Sequence, residues 1–156
     1  MQRITLLAVG VPRFPWIREG ALCYKERIDH EAQLEIVSLK ESTHGDPVAQ
    51  RDEESGRILD ALSGRRGTVI VLDERGEVHT SASFAALVAG ARDQGQPLIF
   101  VLGGAHGLAD GVRQRADRIL ALSAMTLPHE LCQVFFLEQL YRGLQINKGT
   151  GYHHAG

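Results

Sequence analysis

Apolar and polar positions along the chain follow two rhythms. Short, nearly unbroken apolar runs stand at 2–10 (QRITLLAVG), 67–76 (GTVIVLDERG), 97–104 (PLIFVLGG) and 118–123 (RILALS), and an alternating run stands at 33–39 (QLEIVSL). Runs of that length, rich in branched residues and closed by Gly, Pro or polar clusters, predict strands. Between them the pattern lengthens to the helical period. Helices are expected over 15–29, with Ile17, Ala21, Leu22 and Tyr24 near one face, and over 51–62, solvated on one side. A third spans 80–95, opened by capping residues and closed by glycine; a short one spans 107–116 and a long one 129–146. The segment 40–50 (KESTHGDPVAQ) reads as a polar, flexible connection, and NKGTGYHHAG as a tail.

Strands that alternate with helices, and that are apolar on both faces, predict a parallel α/β sheet covered on both sides. No repeat or linker divides the chain, so 1–156 is expected to be a single domain. Its 156 residues suffice for a core, and 44% hydrophobic with 23% charged residues is the composition of an ordinary globule. The apolar runs are too short to span a bilayer, and the N-terminus reads as a first strand rather than a signal peptide. Cys23 and Cys132 lie in helix-like segments without metal spacing, the pattern of buried thiols in a reducing compartment. A formal charge of −2 gives no global basic field, so any RNA contact must rest on a local patch or an assembled surface.

In a parallel sheet, ligands bind outside the carboxyl ends of the strands. Three strand ends carry the polar chemistry: VLDERG, VLGGAHG and LSAMTL. The glycines of GGAHG (103–107) allow close backbone approach to a ligand, and a plain tight turn is an equal reading of them. The turn is neither G-x-G-x-x-G nor a Walker motif. LSAMTLPHELC (122–132) places hydrogen-bonding capacity between two buried elements. On local grounds TLPHE is a helix start, with Thr126 as cap, Pro128 in the first turn and Glu130 near the N-terminus.

LGGAHGL, LSAMTLPHEL, EQLYRGLQI and the terminal YHH, in this order and spacing, resemble the small bacterial SPOUT-class methyltransferases that modify large-subunit ribosomal RNA. The resemblance runs over the whole chain. It implies an α/β fold whose C-terminal segment forms a trefoil knot, which periodicity could not indicate because knots are almost absent among folds. It implies transfer of a methyl group from S-adenosylmethionine to N3 of a pseudouridine in 23S ribosomal RNA, in the cytoplasm, by a homodimer whose sites are completed by the partner. Carried onto this chain, Leu122, Ser123, Ala124, Met125, Thr126 and Leu127 would form the knot loop around the cofactor. Gly103, with Gly104 and Gly107, would approach it through backbone, and Leu72 would pack against it. Gly103→Val is then expected to fill the path to the cofactor.

The resemblance also assigns the tail to catalysis through Tyr152, His153 and His154. In the family the third of these positions is arginine or lysine, and a basic residue often stands near Gln133. Here a permanent cation gives way to an imidazole, which loses its charge as pH rises through roughly 6 to 7 when unperturbed. Without the resemblance, YHH is a frayed terminus, mobile until substrate arrives. His106 and His129 read as residues making local hydrogen bonds, and adjacent histidines without a carboxylate or thiol at ligand spacing argue against a metal. Glu138 and Arg142, four apart, read first as a pair fixing the tail or a dimer and second as a phosphate contact. Phe135, Phe136, Leu140 and Tyr141 exceed one helix face, as a subunit interface requires. Two other classes stay open: a ribosome-binding SPOUT-fold protein with lost or altered methyl transfer, and a nucleotide-binding enzyme using the glycine turn.

Overall fold

A computed structural model describes residues 1–154. Five strands form one sheet: β1 (Arg3–Val9), β2 (Gln33–Leu39), β3 (Thr68–Val78), β4 (Leu98–Leu102) and β5 (Arg118–Ala121). Their order is β2-β1-β4-β3-β5, and every neighbouring pair is parallel. The helices are α1 (Pro15–Ile28), α2 (Pro47–Ser63), α3 (Ser81–Asp93), α4 (Asp110–Arg115) and α5 (His129–Lys148).

The strands point alternate side chains to opposite faces, and each face has its own core. Ile4, Leu6, Ile70, Phe100 and Leu120 face α1, α3 and α5, where Ile28, Phe84, Phe136 and Leu140 close over them. Phe100 and Phe136 meet with ring centroids 4.6 Å apart. Leu7, Val69, Val71, Ile99 and Val101 face the other way, onto Ile58 and Leu62 of α2 and Val112 of α4. A period of two in the strands thus sorts one sequence into two cores.

The boundaries depart from expectation where a local polar device outweighs the apolar pattern. α2 begins at Pro47, not at 51, because Asp46 caps it by accepting from Ala49 N at 2.9 Å and Pro47 presets the first turn. The expected flexible connection is therefore shorter by the first turn of that helix. α4 begins only at Asp110; Gly107, with φ 78, completes a tight turn instead. β3 continues to Val78, since Leu72 and Glu77 both pair with Leu120 and the intervening residues loop out of the ladder. Gly149, at φ 77, stops α5 in the left-handed conformation that glycine adopts without strain.

Two expectations about burial fail for the same geometric reason. On α1, Ile17, Ala21 and Ile28 point inward, and Leu22, one step of about 100° from Ala21, is 57% exposed. Cys23 is exposed for the same reason, and Cys132 is only partly buried. On α5, Phe136 and Leu140 are consumed by the chain's own core, which leaves Phe135 and Tyr141 half-buried. The helix carries less surplus apolar surface than its sequence implies, because it packs against both α1 and α3.

Candidate functional site

The carboxyl ends of β3, β4 and β5 open into one cleft of about 470 Å³. Leu72, Gly103, Leu122, Ser123, Met125, Thr126 and Leu127 all line it. Ala124 is not among the lining residues, although it belongs to the same loop. The segment after β5 crosses from the sheet edge toward β1, where Arg13 N donates to Glu130 of α5 and His129 and Glu130 lie beside Val9 and Gly10. That crossing is what roofs the strand ends.

The loop 122–127 is shaped locally. Ser123 Oγ accepts from Met125 N at 2.9 Å, a turn that leaves Met125 79% exposed at the rim. Thr126 is not the helix cap: Pro128 holds that position, with no side-chain hydrogen bond, and Thr126 lines the cleft instead. His106 and His129 also line the cleft, and no side-chain hydrogen bond is found for either among the described residues, contrary to the reading as locally bonded loop residues. Cys132 lies at the same wall, where burial pushes its thiol pKa up and so disfavours the thiolate.

The glycine turn is fitted from behind as well as from the cleft. A Cβ on Gly103 would stand 2.8 Å from the Leu108 side chain and 3.1 Å from Gly107 O. Gly103→Val would therefore break the turn's own packing first, a different cause from the blocked path expected from sequence. A Cβ on Gly104 would stand 2.6 Å from Glu54 Oε1. Both positions bring bare backbone to the cleft because a side chain has no room.

The charged rim was not legible in the sequence. Arg113 Nη1 meets Asp73 Oδ2 at 2.9 Å, with both side chains largely buried, and Arg113 Nη2 meets Asp110 Oδ1 at 2.8 Å. The hydrogen bond from Arg113 holds the exposed Asp110 carboxyl below its ordinary value, and the Arg113 guanidinium is raised in return. Arg51 and Arg75 lie at the same rim. VLDERG marked Asp73 as an acidic strand end, but nothing in the order of the chain linked it to Arg113, forty residues on.

The tail lies elsewhere. Tyr152 O–H donates to Glu138 Oε1 at 3.2 Å, and its ring stands edge-on to Tyr141 with centroids 4.8 Å apart. The Arg142 guanidinium covers the Tyr152 ring at 4.9 Å and pairs with Glu138 at 2.5 Å. Arg142 Nη1 stands 3.1 Å from His153 Nδ1; a guanidinium only donates, so this contact calls for a ring with its proton on Nε2. Burial, then the Tyr24 hydroxyl and the Glu138 charge, push the Tyr152 phenol up to about 12. The Glu138–Arg142 pair thus fixes the tail, as its first reading had it, and Tyr152 and His153 are docked rather than frayed. His154 is exposed. None of Tyr152, His153 and His154 lines the cleft of its own chain.

Among the described residues, no group of three or more His, Cys, Asp and Glu is placed to hold a metal ion, and no helix is long and apolar enough to cross a membrane. Residues 2–153 match the family model described as "Predicted SPOUT methyltransferase". A protein from Geobacter sp. (strain M21) named ribosomal RNA large subunit methyltransferase H is 42% identical over 153 residues, 97% of this chain and 99% of the relative. A protein of the same name from Solidesulfovibrio magneticus is 41% identical over 155 residues, covering 99% of this chain and all of the relative. In fold, the chain is similar to a crystal structure of a methylase family protein from Neisseria gonorrhoeae, with TM-score 0.57 and 13% identity over 99% of this chain and 87% of that one. A parallel sheet with its cleft across three strand ends, a family model that spans nearly the whole chain and full-length relatives above 40% identity place this protein in the SPOUT methyltransferase family.

Proposed function

We propose that the chain transfers a methyl group from S-adenosylmethionine to N3 of a pseudouridine in the 23S ribosomal RNA of the large subunit, in the bacterial cytoplasm. The observation that carries the reading is the cleft itself: three strand-end loops converge on a space lined by apolar side chains and by glycine backbone. Leu72, Leu122 and Leu127 offer apolar walls, and the Gly103–Gly107 turn offers backbone donors and acceptors of the kind that read an adenine edge. When bound, S-adenosylmethionine supplies an electrophilic methyl group. The trefoil threading of the segment after β5 belongs to this reading, supported by family membership and by the passage of that segment over the strand ends.

The protein's own part is to orient the base, exclude water and manage one proton. The N3–CH₃ bond would form at the expense of the methyl–sulfur bond of the bound cofactor, which would leave as the neutral thioether, while N3 gives up its proton. Tyr152, with its phenol at about 12, keeps its own proton near neutral pH and acts as a donor. His153 is held by Arg142, which leaves the exposed His154 to meet RNA phosphate or the imide. Because the tail and the cleft are apart in one chain, the proposal includes a homodimer in which each tail serves the partner's cleft.

The test is methyl incorporation into ribosomes from a strain lacking the modification, with the product located by mass spectrometry, beside calorimetric titration of the cofactor. Binding and methylation at N3 of a 23S pseudouridine are expected. Binding without methylation would point to a ribosome-binding protein that has lost transfer. Failure to bind S-adenosylmethionine would overturn the reading altogether.

A further inference from the structure

Behind the glycine turn lies a carboxylate that the reaction as described does not use. Glu54 of α2 is 6% exposed, and its Oε1 is a fully buried oxygen without a hydrogen-bond partner among the described residues. Its other oxygen, Oε2, accepts from Ser42 N at 3.0 Å, which anchors the loop before α2. The next residue, Ser55, accepts through Oγ from Ala109 N at 2.9 Å, which anchors the far end of the turn that begins at Gly103. Adjacent residues of one helix therefore brace the loop before α2 and the segment that follows the turn, and the free Oε1 lies against Gly104, where a side chain would leave it no room.

A buried acceptor with no donor is costly, and native structures leave few of them without a reason. A Cβ on Gly104 would stand 2.6 Å from this oxygen, and Gly104 belongs to the turn 103–107 that lines the cleft. Its Ala105 and His106 N–H groups have no backbone acceptor among the described residues. We infer that Glu54 is a positioning residue for cofactor binding, whose Oε1 is the acceptor that a backbone N–H of this turn takes up as S-adenosylmethionine seats. The inference rests on the reading of the cleft as the S-adenosylmethionine site. Glu54 touches no reacting atom, so its contribution falls on affinity and not on the chemical step.

Glu54→Gln keeps the shape and offers an acceptor to only one side. The apparent Kd and KM for S-adenosylmethionine are expected to rise at least about tenfold, with kcat at saturating cofactor within about twofold of wild type. Wild-type affinity in Glu54→Gln, or a fall in kcat with KM unchanged, would overturn the assignment. Wild-type protein that failed to bind S-adenosylmethionine would instead sink the reading of the cleft. A second pair of variants does not depend on Glu54→Gln folding. Glu54→Asp keeps the charge but withdraws the oxygens, making room for the Cβ of Gly104→Ala. The loss of affinity from Gly104→Ala should be at least about tenfold smaller in the Glu54→Asp background than in wild type. Independent, multiplicative losses would show that Glu54 and the turn are not coupled and would overturn the inference.

Discussion

At the scale of single residues, Tyr152 shows how much a docked side chain differs from a tail residue in a string. Its phenol is raised to about 12 by burial first, then by the Tyr24 hydroxyl and the Glu138 charge. The protonated form is the one favoured by folding. An unfolded chain releases that proton near the ordinary value of 10, so stability is lost as pH rises from about 10 toward 12. Glu138→Gln removes the charge and leaves the burial and a neutral amide acceptor. The Tyr152 titration should move down yet stay above 10, which NMR of the ring carbons can follow because the chain has only three tyrosines. A midpoint unchanged from wild type would show that Glu138 has no hold on the phenol. His154 carries a separate expectation. His154→Arg puts a permanent cation at this exposed position and should strengthen RNA binding, which binding isotherms measure; unchanged affinity would show that residue 154 does not meet the RNA.

At the scale of elements, the glycines divide into those that the fold requires and those that it merely tolerates. Gly76 lies in the outlooped part of β3, where a Cβ would stand 2.6 Å from the backbone of Ile119 and Leu120. Gly76→Ala must push β5 away from β3, and a loss of about 1–3 kcal/mol in urea unfolding is expected. Cofactor affinity should fall with it, because Leu72 and Leu122 flank the displaced strands. Gly56 in α2 and Gly90 in α3 have open space where a Cβ would go. Gly56→Ala and Gly90→Ala should each stabilise by about 0.5–1 kcal/mol through helix propensity, without changing cofactor affinity. All three substitutions are the same chemical change, and only the surroundings set the sign.

At the scale of the whole molecule, the separation of tail and cleft makes a definite demand on assembly. If each cleft takes its partner's tail, neither a protein lacking 152–156 nor one carrying Gly103→Val should methylate ribosomes alone. The truncated protein should still bind cofactor. Mixed and allowed to exchange subunits, the two should regain activity, because a hybrid dimer holds one intact cleft beside one intact tail. No recovery, with exchange confirmed by sedimentation, would place the tail's work within its own chain. Phe135→Asp tests the interface more directly. Phe135 is the half-buried ring that the chain's own core leaves over on α5, and a charge there should yield monomer or aggregate.

The sequence by itself determined the layers and the seat of the site. Unbroken apolar strands alternating with helical periods admit little but a covered parallel sheet, and in such a sheet the polar strand ends must fall on one side. The convergence of Leu72, Gly103 and the 122–127 loop, Ala124 apart, on one cleft was legible for that reason. Periodicity did not show the turn that starts α2, because Asp46–Pro47 acts through one hydrogen bond and one fixed torsion. Nor did it show which apolar residues of α5 the core would consume, since Phe136 and Phe135 are chemically the same and differ only in direction. The Arg113–Asp73 pair and the buried Glu54 oxygen joined distant segments of chain. Spacing carries no record of such pairings: they exist only once the strands have chosen their order, and that choice belongs to packing in three dimensions.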